Sequence, residues 1–335
     1  MMKKFGIAVV GCGRISTNHL RGIQEMSDQI RLVAVVDTIP ERADARKQEY
    51  NAEKACYCLE DALKDPEIEG VDLCLPHYLH HPIAIRCMQA GKHVMVEKEM
   101  STSYETSLDM VRMAKESGVT LMVGQSRRFF SAVQKSVELA HAGEIGHIFN
   151  VISVWQTKLD HALTTWWKSR AQAGGLLVAL NGSHAVDYIT WLKNYQYPKR
   201  VYCQLNHINP DWEGEDEVTM VLTYADGSTA SVHLSFNQDD YRHFRIIEGT
   251  KGNMYLDDEK TLYVNREVRE GNDKMPFSFG LQVMEFVSSI REGREPVCSG
   301  RIVAPVNAIL DTAFLSAKTG QAIDLHERYP ELANR

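Results

Sequence analysis

Short apolar runs alternate with helix-length amphipathic stretches along the first third of the chain. Phe5–Val10 is an apolar run, residues 32–36 form a second that closes on Asp37, and residues 40–51 read as a helix with proline in its first turn. Residues 71–75 read as a buried strand, 81–90 as a helix closed by Gly91, and 93–96 as a strand. Tyr104–Ser117 reads as a helix stopped by Gly118, and 120–123 as a further strand. Such alternation predicts an α/β Rossmann domain, a doubly wound parallel sheet covered on both faces, over residues 1–124. In these sheets ligands bind beyond the carboxyl ends of the strands, so the residues after each strand carry the functional interest.

Past residue 124 the pattern changes. A helix over 131–142 leads into strand-like segments at 147–156, Arg200–Asn206, 217–224, 229–236, 245–248 and 253–256, with helices at 279–292 and 303–319. Tyr224-Ala225-Asp226-Gly227-Ser228 is a hairpin signal. Short turns between neighbouring strands predict a C-terminal α+β domain over 125–335, built on a large, mostly antiparallel open sheet. Its expected role is substrate binding and oligomerisation.

Bulk properties narrow the function classes. A length of 335 residues suits two domains, and 44% hydrophobic with 24% charged residues is ordinary for a globular protein. A net charge of −7 without a basic run argues against nucleic-acid or acidic-membrane partners. The first strand begins at Phe5, leaving no room for a signal peptide, and no apolar run approaches bilayer length. The seven cysteines are odd in number and scattered, which points to reduced thiols and a cytoplasmic protein. Cys56-x-Cys58 lacks the spacing of a metal or redox pair, the thirteen histidines are dispersed, and no metal site is expected.

The first chemical signal is Gly11-Cys12-Gly13-Arg14-Ile15-Ser16, set between the first two apolar runs. Gly11 permits a tight turn, Gly13 lets a pyrophosphate approach the backbone, and the helix opening at Arg14 and Ile15 aims its N–H groups at the phosphates. Asp37 lies 26 residues after Gly11, where a carboxylate reaches a ribose 2′-hydroxyl and repels a 2′-phosphate. NAD is therefore favoured over NADP. The third glycine position holds Ser16, which spaces helix and strand slightly further apart.

Lys98 follows the strand ending in Glu97, where it is placed to hold a substrate hydroxyl. Taken alone it reads equally well as a surface lysine. Gly174-Gly175 leads into an apolar stretch, after which His184 and Asp187 lie three apart on one helix face, a candidate acid–base group and its orienting carboxylate. The same pair also reads as a core histidine capped within its own helix. Arg127, Arg128, Trp166 and Trp167 offer cations and rings for a sugar, with the tryptophans equally readable as core. Lys168, Asp160 and His161 read as surface loop residues.

Together these segments resemble the GFO/IDH/MocA family of NAD(P)-dependent sugar and polyol oxidoreductases. The likeness covers nearly the whole chain. It rests on the Gly11–Ser16 turn with His19 behind it, on Leu75-Pro76-His77-Tyr78-Leu79-His80, and on Ala90-Gly91-Lys92-His93-Val94-Met95-Val96-Glu97-Lys98. Gly-Gly…His-x-x-Asp at 174–187 and Ser316-Ala317-Lys318-Thr319-Gly320 complete it. The resemblance implies an enzyme in which Lys98 and His184 assist hydride transfer between a sugar, polyol or sugar derivative and nicotinamide. It implies that Pro76, His77, His80 and Glu97 line the cofactor site, with Asn181, Asp187, Arg128 and Trp167 toward substrate. It also implies a homo-oligomer, dimer or tetramer.

Three positions depart from the family pattern. Glu99 replaces a proline, His77 an asparagine, and Leu180 the aspartate usually four residues before the histidine. Leucine moves no proton, and the neighbouring Asn181 orients a hydroxyl without acting as a base. Two other functions therefore stand beside the dehydrogenase: an NAD-dependent glycoside-cleaving enzyme using transient oxidation and elimination, and a non-catalytic NAD- or sugar-sensing regulator.

Overall fold

The computed structural model describes residues 3–271 and 277–333. The chain divides into two compact units, Met1–Ser126 with Pro276–Ala304, and Arg127–Met275 with Pro305–Arg335. A single cut at residue 124 does not provide for the return of 276–304 to the first unit.

In the first unit the elements run β1 (Phe5–Val10), α1 (Ser16–Glu25), β2 (Ile30–Val36), α2 (Pro40–Tyr50), β3 (Lys54–Cys56) and α3 (Leu59–Leu63). They continue with β4 (Gly70–Leu73), α4 (His77–Gln89), β5 (His93–Glu97), α5 (Tyr104–Ser117) and β6 (Leu121–Gly124). The six strands form one sheet in the order β3-β2-β1-β4-β5-β6, parallel at every junction, which is the Rossmann arrangement. Every residue of β1, β4 and β6 is buried, as expected of strands covered on both faces. α4 starts at His77, directly after Pro76, rather than at residue 81. His77 and His80 therefore lie in its first turn.

The second unit carries α6 (Ser131–His141), β7 (Ile148–Lys158), α7 (Arg170–Ala173), α8 (Ser183–Leu192), β8 (Arg200–Asn206), β9 (Glu217–Thr223) and β10 (Thr229–Ser235). β11 (Asn237–Gly249), β12 (Gly252–Asp257), β13 (Thr261–Val264) and β14 (Glu267–Gly271) follow. Next in the chain come α9 (Ser278–Glu292), which belongs to the first unit, and α10 (Gly300–Thr319), which starts in the first unit and ends in the second; β15 (Ile323–Asp324) and α11 (Leu325–Arg328) complete the second. The nine strands are ordered β14-β13-β12-β11-β7-β10-β9-β8-β15, antiparallel throughout except for the parallel β10–β7 pair at the centre. β11 is far longer than residues 245–248, because it takes in the polar segment 237–242 across a register shift.

α9 packs on α1 within the first unit. A Cβ on Gly22 would meet the Gly280 nitrogen at 2.7 Å, so the absence of a side chain permits this close helix contact. Among the described residues no helix is long and apolar enough to cross a membrane.

Candidate active site

The glycine turn is built by packing as much as by conformation. Gly11 has φ +95, and a Cβ there would lie 2.4 Å from the Cys74 carbonyl oxygen, so only glycine fits beside β4. At Gly13 a Cβ would meet nothing within 4 Å, which leaves open space over the turn. Ile15 precedes α1 without supplying a side-chain cap, so no side chain competes with an anion at that helix end. Arg14 is exposed and Ile15 half-buried beside it. Ser16 is fully buried, and its hydroxyl donates to the Gly13 carbonyl at 2.7 Å, closing the turn from inside. Asp37 accepts the Cys12 N–H at 2.9 Å through Oδ2 and the Ile39 N–H at 2.9 Å through Oδ1. Its carboxylate is thus fixed against the glycine turn. These features fit the adenosine and pyrophosphate half of a dinucleotide.

Behind the turn lies a buried relay. His19 faces Asp72 through Nδ1 at 2.7 Å and Glu97 through Nε2 at 3.0 Å, joining α1, β4 and β5. Burial alone lowers the His19 pKa, but the Asp72 carboxylate outweighs it and holds the imidazole well above its ordinary range. Burial also pushes Asp72 up against the pull of His19. With a carboxylate at each nitrogen, the ring is read as an imidazolium. Gly124 makes room for this relay, since a Cβ there would sit 2.8 Å from Glu97 Oε1. His19, Asp72 and Cys74 also lie close enough to suggest a metal site. Both nitrogens of His19 already face carboxylates, however, and burial pushes the Cys74 thiol up to about 12, so the cluster is not built as a ligand set.

The loops after β4 and β5 are braced by the two other histidines. His80 is fully buried, with Nδ1 2.7 Å from the Glu99 carbonyl and Nε2 2.9 Å from that of Leu75. Burial pushes its pKa down, so the ring is neutral and donates from one nitrogen at a time. His77 Nδ1 lies 3.6 Å from Glu99 Oε1, both side chains being buried. Two of the three departures from the family pattern therefore meet each other. Lys98 stands between Glu97 and Glu99, half-buried, and its peptide to Glu99 is cis. Pro76 caps α4 and is half-buried.

In the second unit Gly174 and Gly175, at φ +72 and +120, end α7 and start the turn toward a π-helical segment, Val178–Gly182. Glu215 anchors that turn. Its Oε1 accepts the Leu176 and Val178 N–H groups at 2.9 and 3.0 Å. A Cβ on Gly175 would strike Phe314 at 2.5 Å and approach Glu215 Oε1 at 3.1 Å, so the glycine makes this bridge possible. The segment holds Leu180, buried, and Asn181, half-buried, and runs straight into α8 with His184. π-turns within helices are frequent where a side chain must be re-aimed at a site.

Asp187 is placed differently from its expected role. Arg128 donates to it from Nε at 2.8 Å and from Nη2 at 2.7 Å, a bidentate pair with each side chain 3% exposed. Arg128 Nη1 also reaches the Tyr195 hydroxyl at 3.2 Å. Arg128 and Asp187 thus use their charges on each other and tie α8 to the segment after β6. Trp166 and Trp167 are half-buried and edge-to-face at 6.0 Å, while Lys168, Asp160 and His161 are exposed, as read from the sequence.

An aromatic neighbour of His184 is Trp155 on β7, 6.2 Å away between ring centroids. His243 of β11, the cross-strand partner of Trp155, stacks on it at 4.2 Å and 12°. Strand parity supplied the signal: Val151, Ser153 and Trp155 share one face, of which the first two are buried.

Two sequence families match this chain. One, described as an oxidoreductase family with an NAD-binding Rossmann fold, matches residues 5–125; the GFO/IDH/MocA C-terminal domain matches residues 133–255. A 2,7-anhydro-N-acetylneuraminate hydratase of Escherichia coli (strain K12) is 30% identical over 265 residues, covering 76% of this chain and 68% of the relative. A solved dehydrogenase of Bordetella pertussis in complex with NADH and UDP-GlcNAcA is 27% identical, with TM-score 0.85 over 96% of this chain and 99% of that one. A levoglucosan dehydrogenase in complex with NADH and levoglucosan shares the fold at TM-score 0.89 and 20% identity, over 96% and 100% of the two chains.

Proposed function

Since the chain belongs to the GFO/IDH/MocA family of oxidoreductases, we propose that it is an NAD-dependent enzyme oxidising a CH–OH group of a sugar, polyol or sugar derivative, or running the reverse reduction. The observation that carries this reading is the turn from Gly11 to Ile15 with Asp37 beside it: open over Gly13, uncapped at α1, and closed by a carboxylate. Gly11, Gly13, Arg14 and Ile15 would hold the pyrophosphate, and Asp37 the adenosine ribose, which favours NAD over NADP. Pro76, His77, His80 and Glu97 support the remainder, the histidines and Glu97 as braces of the loops. The first unit acts as the cofactor domain and the second as the substrate domain.

The nicotinamide, when bound, supplies a hydride acceptor at C4. Lys98 Nζ holds the substrate hydroxyl and stabilises its developing alkoxide, while His184 takes the proton. Asn181 orients a neighbouring hydroxyl. Arg128 and Asp187 act one step back, by fixing α8 and with it the His184 ring. The open face of the nine-stranded sheet, which exposes Tyr202, is suited to homo-oligomer formation.

The test is NADH absorbance across a sugar and polyol panel with the wild type, Lys98→Ala and His184→Ala. Turnover that vanishes in both variants with cofactor affinity retained supports the mechanism. Absence of turnover on every substrate, with normal NAD binding, sinks it and favours the sensor.

A second reading draws on Leu180 and on the hydratase relative. With no carboxylate at position 180, the site also suits a cycle in which transient oxidation acidifies a neighbouring C–H, elimination expels a leaving group, and the hydride returns. Product release without net NADH distinguishes this cycle from the dehydrogenase.

A further inference from the structure

Arg127 stands next to the buried Arg128 in sequence but is used in another way. Its guanidinium carbon lies 5.0 Å from the Trp155 ring centroid and 5.2 Å from that of Phe130, which pins the planar group by two aromatic rings. Nη1 donates to Glu259 Oε2 at 2.7 Å. Among the described residues it makes no other hydrogen bond, so Nε and Nη2, the fork edge, keep their donors. The side chain is 29% exposed, against 3% for Arg128.

Charge in this corner does not balance. Glu259 is 1% exposed and also meets Arg245, whose Nη2 lies 2.7 Å from Oε1. Burial raises the Glu259 pKa, but Arg245 first and then Arg127 overcome it and hold the carboxyl down at about 2. The neighbouring Asp258 is matched by Lys260. His243 is buried, and burial pushes its pKa down, so it adds no charge. Two guanidiniums share one carboxylate, and one positive charge remains, on the arginine that solvent reaches.

We infer that Arg127 is a substrate-reading fork and that the substrate carries a carboxylate, as in a sugar acid. A pinned guanidinium with a free two-donor edge matches a carboxylate in geometry as well as charge. His184 neighbours the same indole as Arg127, so the fork and the proposed acid–base group belong to one cluster around Trp155. Glu259 is a positioning residue, since it touches Arg127 and sets the direction of its free edge. This inference rests on the oxidoreductase reading for the identity of the site.

The experiment measures affinity of the NAD-loaded protein for matched pairs, glucose with glucuronate and galactose with galacturonate, by titration calorimetry, with glucose 6-phosphate as a second anion. Uronates are expected to bind on the order of 10- to 100-fold more tightly than their neutral partners, the worth of hydrogen bonds to a charged group. In Arg127→Gln that ratio falls toward one; in Arg127→Lys, which keeps charge without the fork, it falls partway. Glu259→Gln, which keeps the arginine and loosens its tether, also lowers the ratio, and it carries the test should Arg127→Gln not fold. Equal affinities in the wild type, a ratio unchanged in the folded variants, or tighter binding of the sugar phosphate overturns the assignment. Uronate binding that depends on Arg127 without any turnover supports the fork while counting against the oxidoreductase. Turnover confined to neutral sugars does the reverse.

Discussion

Replacing Asp187 by Asn tests whether the Arg128–Asp187 pair is structural or faces substrate. The substitution keeps the shape but removes the charge and turns one accepting oxygen into a donor aimed at a guanidinium N–H. Both side chains are 3% exposed, and the bonds are 2.7 and 2.8 Å long, so solvent screens neither group. Removing one partner of such a pair costs about 3–5 kcal/mol, because an uncompensated charge stays buried. Tyr195 and the Trp191 ring, 5.1 Å from the Arg128 guanidinium carbon, remain as weak neutral partners and keep the estimate at the lower end. At roughly 2–4 °C per kcal/mol for a unit of this size, the melting point falls by roughly 6–12 °C. Calorimetry and urea unfolding followed by circular dichroism read this directly. The double variant Arg128→Met with Asp187→Leu is expected to recover much of the loss, since apolar replacement of a buried pair is close to neutral. A variant Asp187→Asn that melts like the wild type but shows a raised KM would refute the reasoning and return Asp187 to the substrate.

Four further outcomes follow from the geometry. Gly11→Ala places a Cβ 2.4 Å from the Cys74 carbonyl at φ +95, and is expected to lower both melting temperature and NAD affinity, read by calorimetry with and without cofactor. Asp37→Asn removes the charge and keeps an acceptor for only one of the Cys12 and Ile39 N–H groups, and should raise NADP affinity relative to NAD; an unchanged ratio excludes Asp37 as the discriminator. Burial raises the Glu215 pKa, so its stabilising contribution is full below the unfolded carboxyl range and is lost as pH rises through the folded value. Glu215→Gln should lack that decline in a urea-midpoint series across acidic to neutral pH. Of the seven cysteines only Cys58 is exposed, and burial pushes Cys12, Cys74, Cys87 and Cys203 up to about 12, so a thiol reagent is expected to label one site natively and all seven after unfolding.

Legibility from sequence followed the range of the forces involved. α5 was readable to the residue because its ends are local chemistry: Ser103 accepts the Thr106 N–H at 3.2 Å, and Gly118 closes the helix at φ +67. The glycine turn was readable for the same reason. The start of α4 was not, because Pro82 resembles a first-turn proline although the helix begins at His77. β14 was missed because Glu267–Gly271 is a charged, exposed edge strand without alternation. In the site, Lys98 and His184 stood in recognisable segments, whereas the contacts of His19 with Asp72 and Glu97 span 53 and 78 residues and leave no local trace. Arg127 and Glu259 are 132 residues apart, and only folding shows that the neighbouring arginines differ in use.

The single parallel junction in the second sheet sets the order in which that sheet can close. β11 to β14 pair by short hairpins, as do β8 to β10, so each half gathers at low loop-closure cost. β7 must join both halves, and its parallel partner β10 begins 71 residues after β7 ends. The two junctions of β7 pair residues 79 to 101 apart, so together they carry much of the sheet's contact order, and its two halves join only once β7 is seated. Trp155 lies on β7 and His243 on β11, so the stacked platform beside His184 is among the long-range features completed by that step. Amide protection of β7 in pulse-labelled refolding should therefore report the assembly of the site itself.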